Sequence, residues 1–193
     1  SADGTKLAAV VDGGLIYTST DSGVTWTARE ISRLWRGIAS SADGTKLVAT
    51  TANGGAAAIS TSTDSGQTWT SGRASARNWW GVASSADGVK LAAVAYGEQI
   101  YTSTDSGLNW TARASGNAEW RSIASSADGV KLAAAGVNSR IYTSADSGAT
   151  WTARESVRSW WSIASSADGM TLAAVAEGAQ IYISADAGVT WTA

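Results

Sequence analysis

The stretch Ser19-Thr20-Asp21-Ser22-Gly23-Val24-Thr25-Trp26 returns as Ser62 to Trp69, Ser103 to Trp110, Ser144 to Trp151 and Ser184 to Trp191, always as Ser-x-Asp-x-Gly-x-x-Trp. A second marker, Ser-Ala-Asp-Gly, stands at 1–4, 41–44, 85–88, 126–129 and 166–169, so the chain repeats with a period near 40 residues. Short runs rich in branched and aromatic residues, divided by Gly and Asp, fill that period, and the 3.6-residue periodicity of a helical repeat is missing throughout. Residues that recur in every unit serve the fold. Specific function must therefore lie where the units differ.

Such a period suits a four-stranded propeller blade. The strands are predicted, in the first unit, as B at Lys6 to Val11, C at Leu15 to Ser19 and D at Thr25 to Arg29, with A supplied by the following stretch Trp35 to Ser40. The expected fold is all-β: one β-propeller domain over 1–193, with five four-stranded antiparallel blades at 1–34, 35–78, 79–119, 120–159 and 160–193. The repeated box occupies the C-to-D turn. There Asp21, Asp64, Asp105, Asp146 and Asp186 accept hydrogen bonds from turn amides, the Gly two positions later tolerates a positive φ, and the Trp plugs the hydrophobic edge. A calcium role fits poorly, because one carboxylate per turn falls far short of the roughly 6 to 8 oxygens that cation prefers.

Strand A is found only before Ser41, Ser85, Ser126 and Ser166, so the first blade lacks its innermost strand. An unpaired inner edge leaves backbone donors and acceptors open. Three explanations stand side by side: a piece of a longer array, a strand supplied by self-association or another chain, or a three-stranded first blade.

Composition excludes several functions. A net charge of -2 gives no footprint for nucleic acid, and the apolar runs are far too short to cross a bilayer. The chain has no Cys and no His, which removes thiolate metal sites, the commonest metal ligand and the usual general base. No cofactor and no metal is expected. The absence of Pro and Phe beside 11 Trp and 21 Gly marks copies of one template.

The five boxes, with Ile38-Ala39-Ser40-Ser41-Ala42-Asp43-Gly44 and its copies, resemble the BNR/Asp-box repeat group of β-propellers, and the resemblance covers nearly the whole chain. Sialidases, photosystem II assembly factors of propeller type and many bacterial repeat proteins belong to that group. The resemblance implies a structural role for the box and a secreted or extracellular bacterial setting. The high internal identity also suits an engineered or recently amplified array. Sialidases of this group use an arginine triad with a Tyr and Glu pair. Here Arg29, Arg73, Arg113 and Arg154 instead recur at the end of strand D, and Tyr17, Tyr101, Tyr142 and Tyr182 are copies of one position. Ten of the 16 acids lie in the repeated turns, leaving Asp12, Glu30, Glu98, Glu119, Glu155 and Glu177. No catalytic residue is assigned, and without His the many Ser have no activating base.

The differing segments are the B-to-C stretches (Asp12 to Gly14, Asn53 to Ala57, Tyr96 to Gln99, Gly136 to Arg140, Glu177 to Gln180) and the D-to-A stretches (Glu30 to Leu34, Ala74 to Asn78, Ala114 to Glu119, Glu155 to Ser159). Both sets are predicted to share one face, at the mouth of the channel. Strand A opens on a constant Trp, at 35, 79, 120 and 160, followed by an alternating Arg36, Trp80, Arg121 and Trp161. Guanidinium and indole groups on neighbouring blades can form cation-π contacts, fill wedge-shaped gaps or stack on a ligand. The expected function is a non-catalytic binding or scaffolding module with candidate ligand residues Arg36, Trp80, Tyr96, Glu98, Arg121 and Trp161. The partner would be a glycan or a protein. A lectin-like glycan binder and a vestigial glycosidase using Glu98 or Glu119 are the alternatives.

Overall fold

The computed structural model describes residues 1–52, 59–71 and 74–193, with residues 30 and 31 placed by their backbone. The elements, in order, are β1 (Leu7–Val10), β2 (Asp12–Ser19), β3 (Thr27–Ser40), β4 (Leu47–Thr51), β5 (Ile59–Ser62), β6 (Thr70–Ser71), β7 (Trp79–Ser84) and β8 (Leu91–Ser103). They continue as β9 (Thr111–Ser125), β10 (Leu132–Val137), β11 (Ser139–Ser144), β12 (Thr152–Arg158), β13 (Trp160–Ser165), β14 (Leu172–Ala176) and β15 (Ile181–Ser184). The fold is all-β, and neighbours in the chain pair antiparallel as meanders. Of the differing stretches, 53–57 lie outside the described residues, as does Arg73 of the strand-end arginines.

One register recurs at every inner strand. Ser40 stands opposite Leu47, Ser84 opposite Leu91, Ser125 opposite Leu132 and Ser165 opposite Leu172. In each of these pairs the ladder shifts near the constant Trp, a bulge that raises local twist. Alternation along the strands then gives every unit two apolar faces, and the core is built between units. Trp79 of β7, Tyr101 of β8 and Ile59 of β5 share one cluster, and Trp120, Tyr142 and Ile100 share the next. The Trp rings meet the Tyr rings edge-on, at centroid separations of 5.0 Å for Trp79–Tyr101, 5.4 Å for Trp120–Tyr142 and 5.1 Å for Trp160–Tyr182.

The Ser-Ala-Asp-Gly turns stitch these seams with main-chain bonds. The Ala2 N–H donates to the Ala42 carbonyl, Ala42 to Ala86, Ala86 to Ala127 and Ala127 to Ala167, at 2.7–2.8 Å. Lysines add a second stitch: Lys46, Lys90 and Lys131 donate to the carbonyls of Asp87, Asp128 and Asp168 in the next turn.

The box forms the same turn five times. Around Asp21, the Ser19 hydroxyl and the Thr25 amide and hydroxyl all donate to the carboxylate, Gly23 N–H donates to Ser19 Oγ, and the Trp26 indole N–H donates to the Gly23 carbonyl at 3.0 Å. Positive φ falls on the box Gly as expected, 88° at Gly23, and also on the residue before it, 57° at Ser22. That second left-handed residue has no Gly to announce it in the sequence.

The structure corrects the differing stretches in one respect. Most of them are continuous strand: Asp12 to Gly14 opens β2, Glu30 to Leu34 lies inside β3, Tyr96 to Gln99 inside β8 and Ala114 to Glu119 inside β9. They pair with one another across the C–D hairpin, Asp12 opposite Leu34 and Tyr96 opposite Glu119, so their backbone groups are satisfied by extending the ladder. Glycines at positive φ, Gly13 and Gly97, permit the bends where register shifts.

Candidate functional site

The second residue of each inner strand follows a fully buried Trp and sits where the ladder shifts register. At the four copies this places Arg36, Trp80, Arg121 and Trp161 side by side on successive units. The Arg36 guanidinium carbon lies 4.9 Å from the Trp80 ring centre. That of Arg121 lies 3.9 Å from Trp80, 5.2 Å from Trp161 and 5.4 Å from Tyr96. Trp80 and Tyr96 are tilted neighbours at 6.4 Å. Five of the six candidate residues therefore form one contiguous cation-aromatic cluster. Glu98, the sixth, stands apart, ion-paired to Arg77 and accepting the Tyr101 hydroxyl proton at 2.9 Å.

Two acids outside the predicted ligand set join the cluster, one of them, Glu119, considered in the sequence only as a glycosidase carboxylate. Asp12, at the start of β2, accepts a hydrogen bond from Arg36 Nη1 at 2.7 Å. Glu119, in β9, accepts a hydrogen bond from the Tyr96 hydroxyl, and this bond, with burial and the nearby carboxylate charge, holds the Tyr96 hydroxyl above its ordinary range. Glu119 stands directly opposite Tyr96 and Asp12 opposite Leu34, two residues before Arg36, so both proximities depend on strand pairing across the hairpin rather than on sequence distance. The Tyr101 hydroxyl is pushed up to about 12, first by burial and then by its bond to Glu98.

The cluster's charges are unevenly matched. Arg36 has Asp12, whereas Arg121 is held by three rings without a hydrogen-bonding partner among the described residues. Arg36 Nε, Arg121 Nε and the Trp80 indole nitrogen are buried donors without an acceptor among the described residues. Trp161 is about half exposed and keeps the cluster open at one side. The arrangement can take an anionic or carbonyl group against Arg121 and a flat apolar surface against Trp161.

No family model matches the chain, and no curated protein matches it in sequence. Solved structures do match in fold. An ancestral GH74 enzyme superposes with a TM-score of 0.74 at 16% identity, covering 97% of this chain and 29% of its own. YCF48 bound to D1 peptide gives 0.70 at 16% identity, covering 100% of this chain and 65% of its own. YCF48 from Cyanidioschyzon merolae gives 0.62 at 17% identity, over 100% of this chain and 81% of that one. The chain thus spans about three tenths of the GH74 enzyme and just under two thirds of the peptide-bound YCF48. At these identities the likeness is one of fold, and at that level it meets the BNR-type propeller resemblance read from the repeats.

Proposed function

We propose that this chain is a non-catalytic propeller module that binds a carboxylate-bearing peptide at the Arg36–Trp80–Arg121–Trp161 cluster, with Tyr96 and Glu119 fixing its wall. The observation that carries this is Arg121, a guanidinium caged by three aromatic rings and left without a hydrogen-bonding partner among the described residues. A carboxylate would give it the charge-assisted bonds it lacks. The peptide bound by the YCF48 structure that shares this fold supports a protein ligand over a glycan. Glu98 belongs to a separate ion pair with Arg77 and has no part in the proposed site. Its engagement there, and that of Glu119 by Tyr96, weigh against a pair of free catalytic carboxylates.

In this proposal the units are five blades at 1–34, 35–78, 79–119, 120–159 and 160–193, the first lacking its inner strand. Support comes from the recurring inner-strand register, and from β1, whose one strand partner among the described residues is β2. The binding test is a titration of Trp fluorescence with a Glu-rich peptide, an uncharged isostere and an acidic glycan. The Glu-rich peptide is expected to quench wild type, to bind at least tenfold more weakly to Arg121→Ala, and to weaken with added salt. A response to the glycan alone would replace the peptide reading with a lectin. Equal responses of wild type and Arg121→Ala would remove the site.

A further inference from the structure

Three of the tyrosine copies, Tyr101, Tyr142 and Tyr182, stand edge-on to the buried Trp of the inner strand in the same unit. What lies over their rings differs. The Arg77 guanidinium carbon is 4.6 Å from the Tyr101 ring centre, and that of Arg158 is 5.0 Å from the Tyr182 ring centre. Each of these arginines comes two residues before the inner-strand Trp, at Trp79 and Trp160. In the unit between them Ala118 takes that place, two residues before Trp120, and among the described residues no guanidinium stands over Tyr142. Strand pairing supports the equivalence: Ala118 stands opposite Glu98, and Arg158 stands opposite Ser139, the residue at the place of Glu98 one unit later.

Beside Tyr142 a cleft of about 400 Å³ opens, with Ala118, Glu119, Arg140 and Val157 in its wall. The corresponding cleft beside Tyr101 holds about 310 Å³, and Arg77 is part of its wall. The segment entering the inner strand also takes a different path in this unit. Trp120 comes seven residues after the strand-end Arg113, whereas Trp160 comes six after Arg154, and the longer segment bends at Gly116, with φ of 76°. The Trp79 and Trp160 indole N–H groups donate to the Ser75 and Ser156 carbonyls at 3.3 Å, but that of Trp120 donates to the Glu98 carbonyl at 2.8 Å. One wall of the cleft is negative. Glu119 accepts only the neutral Tyr96 hydroxyl and takes no part in the ion pairs among the described residues, Arg36 with Asp12 and Arg77 with Glu98.

From these features we infer that the Tyr142 cleft is a binding slot for a cationic side chain, the guanidinium of an arginine carried by a peptide ligand. The units on either side show the occupant, since an arginine covers the equivalent ring in both. A guanidinium over Tyr142 gains the attraction of the ring face, and Glu119 supplies a carboxylate it can pair with. One charge works against it. Arg140 stands at the rim where the other two units have Gln99 and Gln180, exposed and donating from Nη1 to the Glu155 carbonyl at 2.6 Å. Its repulsion lowers the affinity for a cation and would raise it for an anion, so this residue tells the two apart. The slot borders the Arg121 cluster through the Tyr96–Glu119 bond, but it does not depend on the carboxylate reading of that cluster.

The test titrates a Gly-Arg-Gly peptide, blocked at both ends, into the intact chain and follows the Ala118 amide and the Tyr142 ring by NMR. A second peptide carries citrulline, an uncharged isostere, in place of Arg. Saturable shifts at both places are expected, with the citrulline peptide bound about threefold or more weakly for want of the cation–π contact. Ala118→Arg puts a guanidinium over Tyr142 from within the chain and is expected to abolish binding without lowering Tm. Tyr142→Leu, read at the Ala118 amide, removes the ring and is expected to abolish binding too. Arg140→Gln should tighten binding, and Arg121→Ala should retain it. The slot is overturned by the absence of saturable shifts, by equal binding of the citrulline peptide, or by binding that survives both Ala118→Arg and Tyr142→Leu. Weaker binding in Arg140→Gln would make the cleft an anion site, and loss of binding in Arg121→Ala would move the probe to the cluster; either result overturns the proposal.

Discussion

At the residue scale the repeated carboxylates govern how the fold responds to acid. The Thr25 hydroxyl and amide and the Ser19 hydroxyl donate to Asp21 and pull it to about 2, and Asp64, Asp146 and Asp186 are held at about 2 in the same way. Asp3 is pulled to about 2 by Ser1 and Thr5, while Asp43, Asp87, Asp105, Asp128 and Asp168 are also lowered, chiefly by hydrogen bonds from their turns. An unfolded Asp titrates near ~3.9. Between these values the unfolded chain takes up protons that the folded chain refuses, so the carboxylates' contribution is complete above about pH 4 and is lost as pH falls towards 2. The chain has no His, so little else titrates between about pH 5 and 8. Thermal midpoints are therefore expected to be level across that neutral range and to drop steeply between pH 4 and 2. A midpoint that changed as much between pH 8 and 6 as between 4 and 2 would contradict this account. The constant tryptophans act through packing instead. Trp79 is fully buried between units, and Trp79→Ala is expected to cost about 3–5 kcal/mol in a chemical denaturation experiment.

At the element scale the box turn and the inner strand are where the sequence was most informative. Five copies in phase announced the C-to-D turn, and the positive φ of 82–88° at each box Gly follows from the residue type. The box Gly also does something a single copy does not disclose. A Cβ on Gly148 would lie 2.8 Å from a Thr102 methyl of the preceding unit and 3.3 Å from Leu132, whereas on Gly23 it would meet no preceding unit, with Leu7 nearest at 3.3 Å. Both Gly148→Ala and Gly23→Ala carry the left-handed strain, about 1 kcal/mol. Only Gly148→Ala adds the clash between units, about 1–3 kcal/mol more. Denaturation of the two variants side by side checks the difference, and equal losses would mean that the seam yields freely. The candidate site was legible in part for a related reason. Arg36, Trp80, Arg121 and Trp161 share one repeat position, so periodicity alone put them on adjacent strands. Asp12 and Glu119 reached the cluster through hairpin pairing and bulged register, which periodicity does not encode. Glu98 was singled out by its rarity among the acids, but the bend at Gly97 and its pairing with Arg77 take it elsewhere.

At the scale of the whole molecule the units form a one-dimensional array in which each is stabilised by its neighbours, so stability depends on position in the row. The isoleucine of the C strand records this. Ile16, Ile59, Ile100 and Ile141 are fully buried by the unit that follows, while Ile181 in the last unit is 62% exposed. Leu7 and Trp26 in the first unit are exposed at 36% and 44%, where their equivalents Leu91 and Trp110 are covered by the unit before. The central unit has a partner on both sides and the terminal units on one. Local opening is therefore expected to begin at the ends. Native-state hydrogen exchange should show amides of β1, β14 and β15 exchanging at the lowest opening free energy and those of β8 at the highest. Substitution should follow the same gradient: Ile100→Ala removes a sealed side chain and is expected to cost about 2–4 kcal/mol, and Ile181→Ala less than about 1 kcal/mol. The gradient also reports on assembly. If the two open faces meet in solution, within one chain or between copies, Ile181 acquires the cover that Ile141 has, and the end amides then become as slow as the central ones. Uniform exchange along the row, independent of protein concentration, would show that the array closes on itself; protection of the ends that grows with concentration would show that it closes between chains.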